Sequence, residues 1–172
     1  MAENREMNYI SHYESPLGTM LLSADEAGLT GAWFIGQKHF AYRLEGKREE
    51  KEIPVLAEAK RWLDIYFSGK EPNFSLPIHL KGSPFQEEVW GILKTIPYGS
   101  TMTYGEIGKI LAARKGLDHM SAQAVGGAVG RNPISIIVPC HRVIGKDGSL
   151  TGYAGGIEKK RELLLLEGAL KR

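Results

Sequence analysis

The sequence predicts an α/β N-terminal domain, a small three-stranded sheet plus one helix, followed by a mostly α C-terminal domain with a winged-helix-like helix-turn-helix. Three observations predict it. Residues 1–80 hold short β-prone runs separated by turn signals, then one amphipathic helical run. Residues 81–172 hold two capping boxes and a third serine cap. The charge changes sign between these halves, with 9 Lys/Arg and 12 Asp/Glu in residues 1–80 against 13 and 8 in residues 81–172. A basic second half suits an anionic partner such as nucleic acid, although an imbalance of this size also arises by chance.

The strand-like pieces are Tyr9 to Tyr13, Thr19 to Ala24 and Leu29 to Phe34, divided by Ser15-Pro16-Leu17-Gly18 and Asp25-Glu26-Ala27-Gly28. A helix follows from about Pro54 to Phe67. Proline suits its first turn, Leu56, Ala59, Leu63 and Phe67 space an apolar face, and Gly69 suits its end. Leu76 to Lys81 contains Pro77 and reads as a linker or an edge strand.

In the second half, Ser83-Pro84-Phe85-Gln86 is a capping box that opens a helix reaching about Thr95, before Pro97-Tyr98-Gly99-Ser100. Thr103-Tyr104-Gly105-Glu106 is a second box, with a helix to about Ala113 broken by Gly116. Ser121 caps a short third helix through about Gly130. The last two form a candidate helix-turn-helix, a pattern that any pair of packed helices also satisfies. Ile134 to Val138 reads as a buried strand stopped by Pro139, and Val143-Ile144 as a second short one. Lys146-Asp147-Gly148-Ser149 is a turn, and Glu158 to Glu167 a closing helix with Leu163 to Leu166 packed inward.

Composition bounds the function. The chain has 172 residues, 42% hydrophobic and 24% charged, as in an ordinary globular protein. No apolar run approaches the ~20 residues that span a bilayer. Met1 to Ser11 lacks the basic-then-apolar form of a signal peptide, so a cytoplasmic protein without membrane contact is expected. One cysteine makes neither an internal disulfide nor a thiolate zinc cluster, and the five histidines show no ligand spacing. No metal and no cofactor are expected.

Two stretches demand a chemical explanation. Ala122 to Gly130 places three glycines in a helix, each costing ~1 kcal/mol relative to alanine. Either another helix packs closely there, or a ligand backbone approaches the smooth face of Ala124, Gly127 and Ala128. The second stretch is Pro139-Cys140-His141-Arg142. A lone cysteine is usually a buried apolar residue. Here it follows a stiffening proline and precedes a histidine able to take the thiol proton directly, through a turn, or through water. Such a histidine works best when a carboxylate holds its other nitrogen. Asp147 suits a turn better, and Glu158 and Glu167 stay open as candidates. Asn132 before Pro133 either forms a turn or ties the helix to the cysteine segment.

The string Arg131-Asn132-Pro133-Ile134-Ser135-Ile136-Ile137-Val138-Pro139-Cys140-His141-Arg142-Val143 resembles the O6-alkylguanine-DNA alkyltransferase family, whose active-site signature is Pro-Cys-His-Arg-Val. The likeness runs from about Phe85 to Gly168, with Tyr104, Ala124-Val125-Gly126-Gly127 and Tyr153-Ala154-Gly155-Gly156 included; residues 1–80 match only in length, strand pattern and the Ser15–Gly18 turn. It implies a supporting domain over 1–80 and a DNA-binding, alkyl-transfer domain over 81–172. Cys140 becomes the alkyl acceptor, His141 its base through a water, Glu167 the residue that orients the imidazole, and Asn132 the hinge between recognition helix and cysteine. Tyr104 pushes on the phosphate beside the target nucleotide. With Tyr153 and Gly155 it lines the pocket, where the backbone of Val143 and Ala154 reads the flipped guanine. Ser121, Gln123, Ala124, Gly127 and Arg131 face the minor groove of double-stranded DNA.

The implied activity is a single, irreversible transfer of the alkyl group from O6-alkylguanine, and from O4-alkylthymine, to a monomeric protein without metal or cofactor. One departure stands out: Gln123 occupies the place where the family often has an arginine that fills the gap left by the extruded base. Weaker capture of the extrahelical base follows. The rivals are a non-catalytic protein that binds alkylated DNA, a cysteine hydrolase and a transcription regulator.

Overall fold

The computed structural model describes residues 7–171; residues 1–6, which open the polar N-terminal stretch, and residue 172 lie outside them. Strands β1 (Met7–Ser15), β2 (Gly18–Asp25) and β3 (Gly28–Phe34) form an antiparallel meander, and β4 (Lys47–Glu50) pairs parallel with β1, giving the order β3-β2-β1-β4. The sheet thus has one strand more than the three the sequence shows. All four residues of β4, Lys47-Arg48-Glu49-Glu50, are exposed. A fully charged run protects a sheet edge from further pairing and carries no apolar alternation by which to recognise it.

Helix α1 (Pro54–Phe67) covers the sheet with Leu56, Ala59, Leu63 and Tyr66. The fourth buried position is Tyr66, not the Phe67 of the sequence-based apolar face; Phe67 packs at the margin of the core. The opposite edge of the sheet, β3, is closed by two irregular segments. Leu29 N donates to Pro77 O and His79 N to Leu29 O, so the 76–81 segment runs along this edge. Ala32 N donates to Pro133 O and Ser135 N to Ala32 O, both at 2.8 Å. The N-terminal sheet therefore grips the segment leading to Cys140.

Helices α2 (Pro84–Leu93), α3 (Tyr104–Lys115), α4 (Ala122–Gly130) and α5 (Ile157–Glu167) build the second half. Both capping boxes are formed, Ser83 with Gln86 and Thr103 with Glu106, and Ser121 caps α4 at Ala124 N. Gly116 ends α3 in the left-handed conformation at φ 67°, where a Cβ is costly. A parallel pair, β5 (Met102–Thr103) with β6 (Val143–Ile144), sits beside α3. One continuous apolar core runs from Met20 and Leu22 through Leu63 and Trp90 to Val129, Val138 and Leu163. Among the described residues no helix is long and apolar enough to cross a membrane.

Ile134, Ser135, Ile136 and Val138 are buried and Ile137 is half-buried, but the segment is not a strand. Val138 N turns back to Ile134 O, Ile137 N bonds Ser135 O, and Ile136 has φ 72°. Asn132 closes this turn from within, as described next.

Candidate active site

Cys140 begins a 3₁₀ turn, Cys140–Arg142, directly after the buried 134–138 turn. The Asn132 amide sets the approach. Its Nδ2 donates to Val138 O at 2.7 Å and to Ile134 O at 3.3 Å, and its Oδ1 accepts from Ile134 N at 3.1 Å. Asn132 N also bonds Val129 O in the last turn of α4. Asn132 therefore staples the end of the candidate recognition helix, through its backbone N–H, to the backbone two residues before the cysteine, through its buried side chain.

His141 is fully buried, and its Nε2 lies 2.6 Å from Glu167 Oε2. The ionised carboxylate only accepts, so Nε2 carries the proton and the lone pair resides on Nδ1. That Nδ1 has no partner among the described residues, which leaves it ready to take a proton. Glu167 is held on every side: Arg142 Nε donates to Oε1 at 2.8 Å and Nη2 to Oε2 at 3.0 Å, Tyr66 O–H to Oε2 at 2.6 Å and Gly99 N to Oε1 at 3.1 Å. Arg142 Nη1 is itself anchored on Ile96 O at 2.7 Å. Of the two carboxylates left open by the sequence, Glu167 is buried against the imidazole and Glu158 is exposed.

The electrostatics follow from this packing. Burial tends to raise the Glu167 carboxyl, but hydrogen bonds from His141 and Arg142 and their charges outweigh it and hold its pKa at about 2. Burial pushes His141 below its ordinary value despite Glu167, so the imidazole rests neutral. Burial pushes the Cys140 thiol up, opposed by the Asn132 amide and the Lys160 ammonium. The resting sulfur, in a residue only 6% exposed, is a protonated thiol.

Tyr104 opens α3, half-buried, and its hydroxyl donates to Thr151 O at 3.0 Å. Gly152, at φ 71°, lets the 151–156 loop lie against this ring: a Cβ there would come 3.1 Å from Tyr104 Oη. Tyr153 is buried, and Gly155 backs onto it so closely that a Cβ would meet its ring at 2.8 Å. Val143 is fully buried in β6, and the Ala154 carbonyl accepts from Lys38 N at 3.2 Å. Ala154 also lines a cleft of about 270 Å³ between the 152–154 loop and Gly126, Gly127 and Gly130 of α4.

The α4 glycines are not packing residues. A Cβ on Gly126 or Gly130 would meet nothing within 4 Å, and one on Gly127 only Arg131 Nη1 at 3.4 Å. Close helix–helix packing is thus excluded as their reason, and an open, side-chain-free surface remains. Ser121, Gln123 and Ala124 are exposed on the same helix; Arg131 is half-buried, folded back onto Gly127 O at 3.2 Å. No cluster of His, Cys, Asp and Glu among the described residues is arranged to hold a metal ion.

Three residues of the site escaped sequence reasoning. Arg142 stands in the signature string, yet its bidentate grip on Glu167 depends on α5, 25 residues away. Tyr66 comes from α1 of the first half, so that half contributes a hydroxyl to the network. Lys160 is fully buried on α5 with its ammonium on Thr151 O at 2.8 Å. Only the rarity of an inward-facing lysine signals it, and helix periodicity in a short charged run does not resolve that.

Residues 84–169 match the family model described as 6-O-methylguanine DNA methyltransferase, DNA binding domain, and residues 8–80 match the ribonuclease-like domain of the same family. The chain is 45% identical to the methylated-DNA–protein-cysteine methyltransferase of Methanosarcina acetivorans over 94% of this chain and 99% of that one. It is 42% identical to the constitutive enzyme of that name from Bacillus subtilis, over 92% and 94%. Its fold is similar to that of Mycobacterium tuberculosis OGT in complex with DNA, with a TM-score of 0.77 and 40% identity over 95% of this chain and 93% of that one.

Proposed function

The chain belongs to the 6-O-methylguanine DNA methyltransferase family, whose members repair DNA by moving an alkyl group onto a protein cysteine, and from this premise we propose how its own residues perform the transfer. The acceptor is Cys140, and one observation carries this: the 172 residues contain no other cysteine. Its setting, between a buried asparagine staple and a carboxylate-oriented imidazole, fits that use.

The O6 atom of guanine is inaccessible to a buried sulfur while the base is stacked, so the nucleotide must rotate out of the duplex, at a cost of a few kcal/mol. The exposed, side-chain-free face of α4 accepts the groove, with Ser121, Gln123, Ala124, Gly127 and Arg131 as the contacting residues. The base enters beside Tyr104 and Tyr153, with the backbone of Val143 and Ala154 and the flank of Gly155 around it. The thiol proton passes to His141 Nδ1 through a water, and Glu167 stabilises the imidazolium that forms. Sulfur then bonds the alkyl carbon in line as the carbon–O6 bond breaks. Guanine leaves with that electron pair and takes a proton from the Tyr104 hydroxyl. The tyrosinate recovers its proton from solvent as the His141 proton is released, so the balance closes.

The thioether product has no good leaving group, so each molecule acts once. In this reading the protein works as a monomer in the cytoplasm on double-stranded DNA, takes O4-alkylthymine as a second substrate, and needs no metal or cofactor. Residues 1–80 support the site and 81–172 carry it. Gln123 fills the gap of the extruded base without a guanidinium, which weakens capture of the flipped state.

Titrating the protein with duplex DNA carrying O6-methylguanine tests this. The intact mass gains a single methyl and then stays constant at any DNA excess. Binding without mass gain, or DNA demethylation that continues past one event per chain, contradicts it.

A further inference from the structure

Lys160 is among the largest fully buried side chains, and no carboxylate among the described residues pairs with it. A buried ammonium without a counter-ion is costly, so its retention needs a compensating partner. Its Nζ is fixed by the Thr151 carbonyl at 2.8 Å, the same oxygen that accepts from the Tyr104 hydroxyl at 3.0 Å, and it lies 5.8 Å from the centre of the Tyr104 ring. The helix start fixes it as well: Lys160 N bonds Gly156 O in the first turn of α5. Helix α5 packs against the 3₁₀ turn that carries Cys140 and His141, the two titratable groups whose charge this ammonium feels, and Tyr104 on α3 presents its ring to it. Arg142 and Glu167 neutralise each other behind His141. Of the groups around the ammonium, the sulfur is the one that becomes an anion in the reaction.

We propose that Lys160 is the internal counter-ion of the Cys140 thiolate, a positioning residue whose ammonium, held on the Thr151 carbonyl, lets the sulfur ionise in its buried site. Lys160 neither gives nor takes a proton; it lowers the electrostatic cost of the charge that appears when His141 accepts the thiol proton. The low dielectric that makes the ammonium expensive alone makes its attraction to a thiolate strong. Burial lowers the Lys160 pKa to about 8, and the thiolate raises it, as expected for a pair that ionises together.

This rests on Cys140 as the acceptor, and the test separates the two. The thiol is titrated in DNA-free protein by thiolate absorbance and by its alkylation rate with iodoacetamide, with Cys140→Ala as the blank. In Lys160→Met the titration midpoint moves up by about one pH unit, and alkylation at pH 7 slows about tenfold. Lys160→Arg keeps most of the wild-type rate. In a Cys140→Ala background Lys160→Met leaves the affinity for O6-methylguanine duplex unchanged, since the sulfur's charge is absent. An unchanged thiol titration in a folded Lys160→Met overturns the proposal, and Lys160→Gln serves in the same way if the methionine variant does not fold. Methyl gain by wild-type protein is measured separately, so a failure of alkyl transfer is not mistaken for a failure of this pairing.

Discussion

Glu167 Oε2 lies 2.6 Å from His141 Nε2 while Arg142 grips the same carboxylate from the other side. The arrangement fixes which imidazole nitrogen carries the proton and turns the free lone pair of Nδ1 toward its task. It also shows why Glu167 remains ionised: two cationic or hydrogen-bonding neighbours outweigh the cost of burial.

Glu167→Gln leaves the shape but removes the charge that orients and stabilises the imidazolium. Alkyl transfer should slow by about 10² or more, the range a positioned base contributes. Arg142 is left buried without its anion, which costs on the order of 3 kcal/mol. Tyr66→Phe, which removes a single donor, should cost about 1 kcal/mol and leave transfer within a few-fold of wild type. Single-turnover rates on O6-methylguanine duplex, with denaturant melts, check both.

Acid should expose the same carboxylate. Its folded pKa of about 2 lies below the ordinary 4.5, so the folded state binds fewer protons than the unfolded chain between these values. The stability it contributes is therefore complete above pH 4.5 and is lost as pH falls toward 2, on the order of 3 kcal/mol in all. Urea melts across this window should show the loss in wild type and a shallower slope in Glu167→Gln.

Lys160 is shifted in the same direction, but for the opposite reason. Its folded pKa, about 8 against an ordinary 10.5, means the charged form is disfavoured by folding. Wild-type stability should gain on the order of 3 kcal/mol as pH rises from 8 to 10.5, and Lys160→Met should lack that gain. At pH 7 the methionine variant should melt higher than wild type while transferring more slowly. A lower melting temperature would show that the lysine is retained for packing.

The α4 glycines separate stability from binding. Gly126→Ala should stabilise by up to ~1 kcal/mol, because the methyl meets nothing within 4 Å and helix propensity improves. Gly127→Leu should fold but weaken duplex binding at least tenfold, about 1.4 kcal/mol. Melting curves and fluorescence anisotropy with duplex DNA test the pair; destabilisation by Gly126→Ala would return these glycines to a packing role.

What could be read from sequence was local. Ser83, Thr103 and Ser121 each satisfy donors within three residues, so their caps are visible in the string and present in the fold. Lys47 to Glu50 was not visible, because an all-charged edge strand exists only through its pairing with β1. Ile134 to Val138 has the composition of a strand, but the Asn132 side chain supplies the bonds that curl it into a turn, and composition does not record that. The Cys140–His141 pair is evident in the string, whereas residue types alone leave Glu167 level with Glu158; the family resemblance implies Glu167, and α5 sets it against the imidazole. Tyr66 and Lys160 serve the site across 75 residues or from an inward-facing helix position, distances at which spacing says nothing.

Locating the transferred methyl is the most direct test of the central claim. After incubation with O6-methylguanine duplex, the protein is digested and the peptide spanning Pro139 to Arg142 is sequenced by tandem mass spectrometry. S-methylcysteine at Cys140, in step with loss of the DNA lesion and absent from Cys140→Ala, is the predicted result. Loss of the lesion with Cys140 unmodified, or a methyl on any other residue, would contradict it.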